Sequence, residues 1–259
     1  MRTTHVKSLV ITGASGGLGR ALAQHYLEQG AVVAAIARRA DLLQSLADHF
    51  PNQVLAYVLD VRDAAAMQAA AQDFIARVGA PDMVIANAGV SAGTLTEYAE
   101  DLDVFRQIMD INVLGAVQTF QPFVAAMRNA GRGKLVGIAS IAAVRGLPGA
   151  GAYSASKAAL ISYLESLRVE LHGSGVSVVT VSPGYIRTPM TAFNPYPMPF
   201  LLEAGQAARR IARGIDSGKP FVVVPWQMGP VGKVLKLLPN WLYDRLFART
   251  PRKPRSIRG

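Results

Sequence analysis

Seven short stretches of this chain are apolar and β-branched almost without a break. They are SLVIT (8–12), AVVAAIA (31–37), VLAYVL (54–59), DMVIAN (82–87), KLVGIAS (134–140), VSVVTVS (176–182) and FVVV (221–224). A strand with one wet face alternates apolar and polar side chains. Near-continuous runs therefore point to strands covered on both faces, as in a parallel sheet. Ala- and Leu-rich segments of helical length separate the runs. A repeated strand–helix order of this kind builds an α/β fold, a doubly wound sheet with helices on both faces. No linker, repeat or low-complexity segment interrupts it before the end of the chain. The expected division is one α/β domain over 1–228 and a helical extension over 229–259.

Composition removes several chemistries. The 259 residues include no cysteine, which excludes disulfides, thiolate zinc sites, iron–sulfur clusters and a cysteine nucleophile. His5, His25, His49 and His172 are scattered and form no metal pattern, so no metal is expected. No secretory leader and no transmembrane helix is expected. The most apolar long stretch, INVLGAVQTFQPFVAAM, is broken by Asn, Gln and Pro. A cytoplasmic protein, or one at the inner face of a membrane, is the expectation.

The first run ends in TGASGGLGR (12–20), which opens a helical pattern. Glycines at 13, 17 and 19 let the backbone turn tightly and approach a pyrophosphate held at a helix N-terminus. By itself such a turn is weak evidence for a nucleotide site. The second run ends in IARR, where an acid would hold a ribose 2′-hydroxyl. Arg38 and Arg39 suit a 2′-phosphate instead, which favours NADP(H) and still admits NAD(H). Asp60, ending the third run, is either an acceptor for an adenine amino group or an N-cap. Asn87, Ala88 and Gly89 form a small turn with room for a flat ring.

YSASK opens a long helical pattern at Tyr153. Tyr153 and Lys157 are four apart and share a helix face, so the ammonium is expected to lower the phenol pKa. A tyrosine tuned in that way serves as general acid or base. Ser140 ends the fifth run and lies at the same sheet edge as the glycine turn. Asn112 falls inside a long helical pattern, where asparagine is a poor choice without a reason.

These motifs, in this order, resemble the short-chain dehydrogenase/reductase family from about residue 7 to 225. The ordered set is TGxxxGxG, Asp60, NAG, Asn112, Ser140, YxxxK and SPGYIRT (182–188). The resemblance implies a Rossmann-type domain with a seven-stranded parallel sheet. It implies an Asn112–Ser140–Tyr153–Lys157 tetrad that transfers hydride between nicotinamide and a ketone. It also implies a cofactor set of Gly13, Ser15, Gly16, Gly17, Leu18, Gly19, Arg38, Arg39, Asp60, Val61, Asn87, Ala88, Gly89, Tyr153 and Lys157. Pro183, Gly184, Ile186 and Thr188 complete that set at the nicotinamide. Gly16 departs from the pattern, since some NADP-preferring members carry a base there. A dimer or tetramer through the long helices near 100–130 and 153–172 is implied as well.

Two regions bear on the substrate. MTAFNPYPMPFLLEAGQ (190–206) lies where the family folds a lid over the substrate, and it holds one acid, Glu203, and no base. An apolar lid suggests an apolar, lipid-like ketone. A small soluble ketone or aldehyde, or an alcohol oxidised in the reverse direction, is the alternative; a non-catalytic NADP-sensing or scaffold protein is the distant one, which the filled tetrad argues against. Residues 229–259 carry eight bases against one acid, so they hold +7 of the net +10. From Val231 to Leu238 an apolar stripe at 231, 234, 235 and 238 opposes Lys233 and Lys236, and Trp226 and Trp241 flank it. Three readings stay open for 231–249: a peripheral membrane surface, packing on the chain itself or another subunit, and nucleic acid, the last disfavoured.

Overall fold

The computed structural model of the chain describes residues 6–255, so His5 and Arg258 lie outside the described residues. Strand β1 (Ser8–Thr12) leads into helix α1 (Gly17–Leu27), β2 (Val32–Ala37) into α2 (Ala40–His49), and β3 (Val54–Val58) into α3 (Ala64–Val78). β4 (Met83–Ala86) is followed by α4 (Asp101–Met109), a π-helical turn (Asp110–Leu114) and α5 (Gly115–Asn129). Next come β5 (Gly133–Ile138), a 3-10 turn (Ile141–Ala143), α6 (Gly151–Glu170) and β6 (Val176–Pro183). Two short strands, β7 (Ile186–Arg187) and β8 (Leu202–Glu203), then bracket a long loop. The chain ends with α7 (Ala204–Asp216), β9 (Phe221–Val224), α8 (Met228–Leu237) and α9 (Asn240–Phe247).

All seven apolar runs are strands of one parallel sheet, in the order β3-β2-β1-β4-β5-β6-β9. Side-chain alternation along each strand divides the core into two layers. Leu9, Ile11, Val33, Ile85 and Val136 meet Leu22 and Tyr26 of α1 and Ile211 and Ile215 of α7. Val10, Ile36, Val84 and Leu135 meet Phe74 of α3, Phe120 and Phe123 of α5, and Leu164 of α6. Burying each of these aromatic side chains contributes about 1.5–3 kcal/mol. Double coverage fails at the sheet edges, where Val58 is 55% and Phe221 47% exposed. The chain order reverses between β1 and β4, and a crevice for ligands opens beyond the C-terminal ends of the strands there.

The single long helix expected around Asn112 is instead two helices joined by the π turn, with Asn112 inside it. π turns widen a helix locally and often mark a functional position. The extension folds back onto the domain. Arg145 donates to the carbonyls of Leu235 and Leu238 at the end of α8, and its guanidinium lies 4.1 Å from the centre of the Tyr243 ring. Tyr243 donates to the Gly146 carbonyl at 2.7 Å. Gly232 and Leu235 turn inward, while Val231 and Val234 of the expected stripe are exposed. No described helix is long and apolar enough to cross a membrane.

Candidate active site

The glycine turn fits closely into the crevice. Asn87 at the end of β4 donates from Nδ2 to the Thr12 carbonyl at 2.9 Å, and the Thr12 hydroxyl accepts from the amides of Asn87 and Ala88. A Cβ at Gly13 would come within 2.7 Å of Asn87 Nδ2, and Gly13 adopts φ +71°, so only glycine suits the position. Gly17 has φ +54°, and a Cβ there would meet Thr188 at 3.2 Å. The turn thus abuts the segment after β6, and Leu18 anchors α1 in the core. The resulting cradle, open to a helix N-terminus, fits the pyrophosphate of a dinucleotide.

Arg39 spans this cradle. Its Nε and Nη2 donate to the Ser15 hydroxyl at 3.2 and 3.0 Å. A Cβ at Gly16 would lie 3.1 Å from Arg39 Nη2, so Arg39 reaches the place where a base at position 16 would stand. Arg38 turns away toward Asp60, 3.9 Å distant. Asp60 accepts from the Arg62 amide at 2.9 Å and from the Arg62 guanidinium at 3.1 and 2.8 Å, and these bonds hold its carboxyl below the usual range. The N-cap of α3 is Asp63, which accepts from the Ala66 amide, so the capping alternative for Asp60 is set aside. Val61 is buried against Gly115.

The four tetrad positions converge at the same edge. Asn112 Oδ1 accepts from the Val90 amide at 2.8 Å, and its Nδ2 donates to the Val90 carbonyl and to the Ser156 hydroxyl. A Cβ at Gly89 would stand 3.1 Å from Asn112 Oδ1 and 3.5 Å from Lys157 Nζ. Ser140 follows β5 and caps the 3-10 turn. Lys157 is buried on the inner face of α6 and donates to the Ile138 carbonyl at 2.8 Å. Burial pushes its pKa down to about 8.

The expected lowering of the Tyr153 pKa is not found. Burial raises it, and a hydrogen bond with Ser140 works against that rise. Desolvation of the phenol outweighs the Ser140 bond, and Lys157 Nζ, 5.9 Å from the Tyr153 ring centre, gives one of its three donors to the Ile138 carbonyl. Beyond β6, Gly184 donates to Val224 and faces Met228 of α8. Thr191 bonds the Ile186 carbonyl and the Thr188 amide, shaping the segment that starts the lid. Within the lid, Glu203 pairs with Arg187 at 2.7 Å. The Tyr196 ring is tilted 57° against that of Tyr185, centres 6.3 Å apart, and lies close enough to feel Tyr153; burial pushes its pKa up to about 12.

Three residues near the site were not singled out from sequence: Ser91, Tyr196 and Lys253. Lys253 belongs to the basic tail, and its ammonium donates to the Ser91 hydroxyl at 2.9 Å. Ser91 stands two residues after NAG, which is the one signal that pointed to it. Among the described residues no cluster of acids and histidines is placed to hold a metal ion.

The family model for short chain dehydrogenase matches residues 7–196. An uncharacterized oxidoreductase of Myxococcus xanthus is 41% identical over 94% of this chain and 97% of its own length. The 11-beta-hydroxysteroid dehydrogenase-like 2 protein of Arabidopsis thaliana is 33% identical over 93% of this chain and 82% of its own. A short chain dehydrogenase of Burkholderia cenocepacia, solved with NADP, superimposes with a TM-score of 0.82. It is 28% identical and covers 97% of this chain and 100% of its own.

Proposed function

The chain belongs to the short-chain dehydrogenase family, and on that premise we propose that it is an NADP(H)-dependent carbonyl reductase acting on an apolar, lipid-like ketone. The observation that carries this reading is the meeting of Ser140, Tyr153 and Lys157 beside a glycine cradle that Arg39 spans. Arg39 is the partner for a 2′-phosphate, and Arg38 and Asp60 flank the adenine end. The NADP complex of the Burkholderia relative agrees with that assignment.

A bound nicotinamide supplies the hydride. The residues of the chain do the rest. Ser140 and Tyr153 donate hydrogen bonds to the carbonyl oxygen, which polarises the bond and fixes its orientation. Tyr153, kept protonated by burial, gives its proton to that oxygen as the alkoxide forms. The Ser140 hydrogen bond favours the phenolate left behind, while Lys157, charged at neutral pH, is the group to bind the ribose hydroxyls. The side chain of Asn112 is occupied by Val90 and Ser156. It therefore holds the NAG turn in place, and its carbonyl in the widened π turn is the group to hold a relay water.

The lid supports an apolar substrate. Its Glu203 is already paired, and Phe193 and Phe200 are about half exposed beside Tyr196. The long helices support a homo-oligomer, since Leu102, Phe105, Leu114 and Val169 are exposed on α4, the π turn and α6. The extension joins two of its earlier readings. One face packs on the domain, and the other exposes Trp226, Val234, Leu237 and Trp241 beside Lys233 and Lys236, a face suited to anionic lipid.

The test is NADPH oxidation over a ketone chain-length series, with NADH in parallel and the longest ketones in mixed micelles. Turnover should rise with chain length and vanish in Tyr153→Phe while NADPH binding persists. Short ketones reduced equally well would remove the lipid reading, and full activity in Tyr153→Phe would remove the tyrosine. Leu237→Glu with Trp241→Glu, on the exposed face, should lower activity only in anionic micelles.

A further inference from the structure

The tail crosses the mouth of the site. The Gly93 amide donates to the Pro254 carbonyl at 2.7 Å, and a Cβ at Gly149 would touch Arg252 at 3.0 Å. Thr94 pairs with Ala150, just ahead of the helix that carries Tyr153. Arg255 fastens the strap. It donates to Asp101 at 3.1 and 2.9 Å and to Glu100 at 2.8 Å, and it lies 3.7 Å over the Tyr98 ring. The strap therefore bridges three segments around the chemistry: the loop after the NAG turn, the loop before α6, and the start of α4.

Lys253 points into that junction. Its ammonium meets the Ser91 hydroxyl at 2.9 Å and, at 3.5 Å, the Met190 carbonyl at the start of the lid. Ser91 is two residues from Gly89, which abuts Asn112 and Lys157. Two residues span at most about 7 Å, so the amine is held on the loop that leads directly into the tetrad.

We propose that Lys253 is a specificity-determining residue that binds a carboxylate on the substrate, so that the preferred ketone is an apolar keto acid. An ammonium has three donors, and the described partners of Lys253 are one hydroxyl and one distant carbonyl. None of the described carboxylates forms an ion pair with it, whereas Arg255, two residues on, pairs with two. A cation drawn out of water is costly unless a counter-charge meets it. The clamp of the strap is already complete in Arg255 and the Gly93–Pro254 bond. The amine is thus left for a ligand arriving between Ser91 and the lid. Burial brings its pKa down to about 8, which still leaves it charged at neutral pH.

This inference rests on the carbonyl-reductase reading, and the test separates the two. Paired ketones of equal length, one ending in a carboxylate and one in its methyl ester, are compared on the full-length protein. Binding to the cofactor-saturated enzyme is measured by calorimetry, and turnover by NADPH oxidation. The acid should be preferred over the ester by about tenfold or more in both measurements, as truncation data for buried charge pairs indicate. In Lys253→Met that ratio should fall to about one, in Lys253→Arg it should largely survive, and Lys253→Gln serves as a second neutral variant should the first fail to fold. Equal binding of acid and ester by the wild type, or a ratio unchanged in both neutral variants, overturns the proposal. Selective binding of the acid without NADPH oxidation upholds Lys253 and overturns the reductase reading instead.

Discussion

Burial pushes both Lys157 and Lys253 down to about 8, yet opposite kinds of structure hold them. Lys157 stands on α6 and donates to the last carbonyl of β5, so helix and sheet fix it from two sides. Lys253 hangs from an irregular strap and reaches a loop hydroxyl 162 residues away in sequence. Rigid elements suit a group that must hold a reacting phenol in register, because small misplacements weaken proton transfer. Loops suit a group that only has to attract a charge, because a Coulombic contact tolerates displacement. The amine on α6 is positioned by regular elements, and the amine of the tail by the clamp that Arg255 makes with Asp101 and Glu100.

The comparison breaks first at Lys157. Lys157→Met should reduce turnover by about 10³-fold, within the range found for general acid–base groups. It should also weaken NADPH binding, read by fluorescence titration, because in the proposed site the same amine holds the ribose. A variant that keeps near-normal turnover would place Lys157 outside the chemistry.

A smaller effect is expected at the far end of the cofactor. Arg39→Ala should raise KM for NADPH by about tenfold or more and leave KM for NADH nearly unchanged, the loss of one charge-assisted phosphate contact. Equal changes for both cofactors would show that Arg39 supports the glycine turn rather than reading a phosphate.

The smallest effect sharpens the likeness between the two lysines. An unfolded lysine titrates near about 10.4, so between about pH 8 and that value the unfolded chain binds more protons than the folded one. Unfolding free energy should therefore rise with pH through this window. Urea unfolding at about pH 7.5 and about pH 9.5, below the range of the tyrosines, measures the rise. Lys253→Met should leave a shallower one, and an identical slope would mean that the half-buried Lys253 titrates like an exposed lysine.

Much of this was legible in order along the chain. Strands announced themselves because a doubly covered strand is apolar at successive positions, and Val10 and Ile11 show both layers being filled from neighbouring residues. The glycine turn and the Tyr153–Lys157 pair were legible because their geometry is local, a tight turn and one helical step. The spacing of Tyr153 and Lys157 pointed to a lowered phenol pKa, and the fold reversed that direction. Burial of Tyr153, which no local spacing reveals, outweighs the Ser140 hydrogen bond. Asn112 looked like an interruption in a helix, and only the packed structure made it a π turn clasping Val90. Residues 251–255 read as a run of charge with no address. Their place over the site came from Arg255 finding Asp101 and from Pro254 meeting Gly93, contacts between segments more than 150 residues apart. Local chemistry is written in residue spacing, which the chain determines alone. The partners of a tail are set by which surfaces the folded body leaves within reach, and only tertiary structure decides those.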